Sequence, residues 1–63
     1  MRQILKEYTL NSHKIQLATD DVCDTPIFVV LLDDKELYMG DRTEAVEIFI
    51  LACREAIKES LTQ

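Results

Sequence analysis

The sequence predicts an α+β fold: a four-stranded, mostly antiparallel sheet of two hairpins, with one C-terminal amphipathic helix packed on one face (ββββα). Three observations predict it. The first two-thirds of the chain reads as strands, with apolar and polar residues alternating over His13 to Thr19 and an unbroken apolar run over Ile27 to Leu32. Two short polar pairs, Asn11-Ser12 and Asp33-Asp34, separate strand-like runs in the manner of hairpin turns. From Thr43 to about Ser60 there is neither Gly nor Pro, and apolar residues recur every three or four positions.

The first strand is expected over Gln3–Leu10, with Ile4, Tyr8 and Leu10 on one face and Lys6 interrupting it. Asn11-Ser12 forms the turn, since Asn tolerates the left-handed backbone that tight hairpins need. His13 to Thr19 returns with Ile15 and Leu17 inward and Lys14 and Gln16 outward. Asp20 to Pro26 reads as a polar loop. Its proline fixes its own φ and pushes Thr25 toward an extended conformation, so a strand can start just after it. Ile27-Phe28-Val29-Val30-Leu31-Leu32 is apolar throughout, the pattern of a strand covered on both faces or shared with a partner. Asp33-Asp34 forms the second turn. Lys35 to Met39 follows with Leu37 and Met39 inward, and Gly40 ends it.

The helix starts from an N-cap at Asp41 or Thr43, with Glu44 three residues after Asp41 in the spacing of a capping box. Its main apolar face collects Val46, Phe49, Ile50, Cys53, Ala56, Ile57 and Leu61, with Ala45, Ala52 and Ala56 small enough to let it approach a sheet. Ile48 and Leu51 fall outside that face, among Glu47, Glu55, Lys58 and Glu59. The apolar third strand poses the same question: it must turn either Phe28, Val30 and Leu32 or Ile27, Val29 and Leu31 away from the helix. A second apolar surface on so small a domain points to a partner protein or a second copy. Ile48, Leu51, Phe28 and Val30 are therefore the candidate interface residues.

At 63 residues, positions 1–63 are expected to form one small domain around one core. Such a chain buries only about 60% of its unfolded surface, which makes stability marginal and a dimer advantageous. Seven Lys and Arg against twelve Asp and Glu leave a formal net charge of -5. The basic residues are scattered, which disfavours direct nucleic-acid binding and anionic membranes. Ile27 to Leu32 is far shorter than the ~20 residues of a membrane span. The opening Met1-Arg2-Gln3-Ile4 lacks the apolar stretch of a secretion signal, so a cytoplasmic location and reduced Cys23 and Cys53 are expected.

Few constellations carry chemistry. His13 stands alone beside a turn, with no nucleophile or orienting acid at a recognisable spacing. Asp20, Asp21 and Asp24 share a stretch with Cys23, but calcium would want a glycine at the sharp turn and a terminal bidentate Glu. Zinc would want about four ligands. One glycine excludes a glycine-rich phosphate loop. No metal, cofactor or catalytic residue is expected. The expectation is a small non-enzymatic adaptor or regulator that binds another protein, acting as a homodimer. An alternative is an acidic decoy that blocks a nucleic-acid-binding partner, with Asp20, Asp21, Asp24, Asp33 and Asp34 as docking residues gathered at one end of the sheet. The weakest alternative is an enzyme whose site forms across a dimer interface from His13, Cys23 and the aspartates.

Overall fold

The computed structural model describes residues 2–22 and 24–62, without the side chains of Val22, Ser60, Leu61 and Thr62. Cys23 and the side chain of Leu61, both named above, lie outside the described residues. The elements run β1 (Gln3–Leu10), β2 (His13–Val22), β3 (Thr25–Leu32), β4 (Lys35–Gly40) and α1 (Arg42–Thr62). The four strands form one sheet in the order β1-β2-β3-β4, every neighbouring pair antiparallel, and α1 packs across one face.

The chain makes three successive hairpins where two were expected. Asp20 to Pro26 is largely strand, because Asp20 pairs with Ile27, Asp21 with Pro26 and Val22 with Thr25. That segment lacks apolar alternation, so its strand character comes from the partner strand and not from its own pattern. The Thr19 hydroxyl reinforces the pairing by donating to the Ile27 carbonyl at 3.2 Å.

The turns are closed without glycine. Asn11 and Ser12 have φ of 51° and 68°, and Asp33 and Asp34 have 50° and 69°. Two consecutive left-handed residues are the signature of a type I′ hairpin turn, whose twist matches that of the strands it joins. Asn and Asp tolerate this conformation through local hydrogen bonding; Ser has less help and carries more of the strain.

β-Bulges re-aim both edge strands. The register shifts between Ile4 and Lys6, so Ile4 pairs with Ala18 on the face away from α1 while Tyr8 pairs with Ile15 on the face beneath it. Ile4 therefore does not share a face with Tyr8. Leu5 takes up the helix side instead, lining a cleft with Leu17, Phe28 and Val46. A second shift opposite Val30 and Leu31 sets Tyr38 against Val30 and Met39 against Val29. Met39 thus faces outward rather than inward. Bulges at edges also twist them away from pairing with another chain.

The core lies between sheet and helix: Ile15, Leu17 and Val30 from β2 and β3 meet Ala45, Phe49 and Ala56 from α1. Ala45 is fully buried and Ala56 nearly so, which lets the helix settle close to the sheet. The Phe49 ring lies 5.8 Å from that of Tyr8, tilted by 32°, an aromatic pairing that adds to the area both bury. Asp41 is the N-cap: its Oδ1 accepts from the Glu44 N–H at 3.2 Å, and its carbonyl accepts the Ala45 N–H at 3.1 Å. The Tyr38 hydroxyl also reaches Asp41 Oδ1, at 3.4 Å. A side chain at Gly40 would meet that Tyr38 ring, so glycine leaves the ring room to lie where β4 hands over to α1.

Two stability predictions follow from this packing. Phe49→Ala removes the largest side chain at the centre of the helix–sheet contact. It should cost about 3–5 kcal/mol, leaving the chain largely unfolded by circular dichroism at 25 °C. Ser12→Gly should have the opposite sign, stabilising by about 0.5–1 kcal/mol as the left-handed strain is relieved, read as a higher urea midpoint.

Candidate functional site

The densest cluster of polar contacts sits where the β1–β2 and β3–β4 turns come together under the C-terminal half of α1. The His13 Nδ1 donates to Asp33 Oδ2 at 2.8 Å, and the Lys14 backbone N–H donates to Asp33 Oδ1 at 2.9 Å. The Asp33 N–H in turn donates to the Lys14 carbonyl at 2.9 Å. On the other side of the ring, Nε2 lies 3.4 Å from Glu59 Oε2 on the helix. Lys14 Nζ pairs with Asp34 Oδ1 at 3.0 Å. His13 therefore ties β2 to the β3–β4 turn and to α1.

The hydrogen bond to Asp33, with the charges of Asp33 and Glu59, raises the His13 pKa above its usual 6.5, against an opposing effect of desolvation. The Asp33 carboxyl is held below its ordinary range, mainly by the bond from His13 and then by the Lys14 N–H. Both ring nitrogens thus face carboxylates. The adjoining cleft, about 390 Å³, is walled by Leu32, Leu37, Ala52, Glu55, Ala56 and the His13–Glu59 pair. Among the described residues that line it there is no hydroxyl or thiol. This arrangement is that of a charge clamp, a cationic ring held between two carboxylates.

The structure separates the acidic residues proposed as one docking loop. Asp20 and Asp21 are strand residues and Asp24 lies in the turn after β2. Asp33 and Asp34 lie at the far end of β3, eight residues and about 25 Å away at ~3.3 Å per strand residue. Antiparallel connection forces this, because successive turns alternate between the two ends of a meander. Asp20 faces Arg2, 3.6 Å away. Among the described residues no group of three or more His, Cys, Asp or Glu side chains is arranged to hold a metal.

The interface candidates are redistributed as well. Val30 is fully buried, and Phe28 packs on the same core beneath α1. Val30 is closed off from a partner, because it is paired with Leu17 and Tyr38 on the helix side, whereas Phe28 is only partly buried and lines the cleft beside Leu5. Ile27, Val29 and Leu31 form the outward set. Ile48 packs against the margin of the core instead of facing away from it. Leu51 is 54% exposed, and Ile50 and Ile57, expected inward, are 50% and 48% exposed. The helix settles on its alanines, Ala45, Ala52 and Ala56, which turns its axis so that Ile50 and Ile57 rotate out and Ile48 rotates in.

Two apolar surfaces result. On the outer sheet face, Ala18, Val29 and Leu31 cluster with Ile27, and one row runs Ile4, Ala18, Val29, Met39 across all four strands. Beside it Gln16 donates to Glu7 at 2.7 Å, which satisfies the one polar side chain buried among the described residues. On the helix back, Ile50, Leu51 and Ile57 lie among Glu47, Arg54 and Lys58. Cys53 is free and half-buried, and burial pushes its thiol pKa up, so it is no activated thiolate.

Compared with protein-family models, curated proteins and solved structures, the chain matches none. Among the described residues, no helix is long and apolar enough to cross a membrane.

The His13 clamp is missed by reading the sequence because its partner is twenty residues away. The signal lay in the strand register: once Ile15 is paired with Leu32, Lys14 and Asp33 must be adjacent across β2 and β3.

A raised histidine pKa contributes stability that is complete below 6.5 and is lost as pH rises through the folded value. The lowered Asp33 pKa works at the other end, contributing above 3.8 and fading as pH falls through its folded value. The clamp should therefore act most strongly between those two limits. In an NMR titration the His13 ring protons should shift with a midpoint above 6.5. Asp33→Asn should lower that midpoint more than Glu59→Gln does, because the Asp33 bond is the largest cause.

Proposed function

We propose that this chain is a small non-enzymatic adaptor or regulator that works by binding protein, with a second copy of itself as one partner. The observation that carries the reading is the helix back, where Ile50, Leu51 and Ile57 are each about half exposed with no described element above them. Apolar residues grouped on one face, rimmed by charge, are the usual composition of a protein contact surface. The separation of Asp20, Asp21 and Asp24 from Asp33 and Asp34 leaves the decoy reading without the continuous acidic surface it would need.

Sedimentation equilibrium of the wild type at micromolar concentration should give the mass of a dimer. An Ile50→Glu/Leu51→Glu double variant should sediment as a monomer while keeping its helical circular dichroism, since both side chains are exposed. A folded wild-type monomer would remove self-association from this reading.

A further inference from the structure

The back of α1 carries an ordered pattern of charge as well as apolar side chains. Along it stand Glu47, then Ile50 and Leu51, then Arg54, Ile57 and Lys58, so acid precedes the apolar centre and base follows it. Glu47, Ile50, Arg54 and Ile57 are spaced three, four and three, the alternation of a helix-pairing seam. Two shallow depressions mark this face. One is lined by Glu47, Ile50, Leu51 and Arg54. The other is lined by Leu51, Arg54, Glu55 and Lys58, with Ile57 alongside. Each is a set at i, i+3, i+4 and i+7, the four-residue hole that receives a side chain from a facing helix. Among the described residues, neither Glu47 nor Arg54 makes a side-chain hydrogen bond or ion pair within its own chain.

The geometry points to a second copy of this chain as the occupant, its α1 lying antiparallel along the back of the first. This rests on the protein-binding reading above and specifies its self-association. A two-fold axis passing between Ile50 and Leu51 sets Ile50 against Leu51 of the partner subunit. It also sets Glu47 against Arg54 of the partner subunit, once on each side of the axis. The same surface patch then serves both chains, as a two-fold interface requires. A parallel pair would instead bring Glu47 beside Glu47 of the partner subunit and Arg54 beside Arg54 of the partner subunit, which repel. The resulting dimer has four layers, sheet–helix–helix–sheet, and leaves the outer sheet faces free.

A charge-swap series on the full chain, read by sedimentation equilibrium, tests this. Glu47→Arg and Arg54→Glu should each weaken the dimer by ~10-fold or more, since each creates two like-charge contacts. The double variant E47R/R54E should recover to within ~3-fold of wild type, because the pairs are re-formed with their signs exchanged. Circular dichroism identical to wild type in all three variants excludes loss of folding as the cause. A wild-type dimer that both single variants leave unchanged, or that the double variant does not restore, overturns the antiparallel seam and leaves the binding reading standing. A wild type that is monomeric removes the self-association on which the seam depends.

Discussion

A single helix can cover only one face of a four-stranded sheet, and the rest of this molecule is organised around that constraint. β3 is apolar on both sides, so its residues divide between two environments. Val30 goes beneath α1 with Ile15, Leu17 and Phe49, and Val29 goes to the uncovered face. Both are fully buried, by different means. Val30 is covered by a second layer. Val29 is screened by its neighbours within the sheet: Ala18 and Met39 across it, and Ile27 and Leu31 along its own strand. With Gln16 and Glu7 bonded to each other beside that cluster, the outer face closes over much of its apolar surface by lateral packing alone.

The same economy governs the turns. With one glycine in the chain, spent at the β4–α1 junction, the hairpins must close on Asn, Ser and Asp in left-handed conformations. Each such residue carries strain of about 1 kcal/mol or more. At the Asp33-Asp34 turn, the structure offsets it with polar contacts. Asp33 accepts from the Lys14 N–H and from His13, and Asp34 pairs with Lys14, so the strained turn is held by the strand beside it. His13 extends the arrangement to Glu59, far along the helix, which fixes the C-terminal half of α1 over the turn end of the sheet. A histidine chemically isolated along the sequence thus becomes the junction of three elements.

The four strands, the helix and its Asp41 cap were legible because each is a local property: a period of two, a period near 3.6, and a polar residue one turn before an acid. What was not legible depends on pairing across the chain. β2 extends through Asp20 and Asp21, which have no strand-like alternation, because β3 supplies their partners. The bulges that turn Ile4 and Met39 outward insert a residue into an edge strand and reverse the faces beyond it, which no periodicity within that strand reveals. On the helix, an apolar face drawn through Val46, Phe49, Ile50, Cys53 and Ile57 put Ile50 and Ile57 in the core and left Ile48 outside it. The alanines decide otherwise, since the closest helix–sheet approach occurs where side chains are smallest, and the axis turns to place Ala45, Ala52 and Ala56 at the contact. The existence of a second apolar surface was visible in the sequence, but its composition followed from this rotation.

That rotation also ranks the two surfaces as places for association. The driving force for a contact is the apolar area still in water, not the number of apolar residues on a face. On the outer sheet face, Ala18, Val29 and Leu31 are already buried, and the exposed members of the row, Ile4 and Met39, sit on opposite edge strands. At ~4.8 Å per strand they are about 14 Å apart, too far to form one patch. On the helix back, Ile50 and Leu51 are adjacent, and Ile57 lies within two turns of them, all half exposed. Covering that one stripe removes contiguous apolar area from water and brings unpaired charges of opposite sign to its ends. The sheet face, largely satisfied by its own side chains, gains less from being covered.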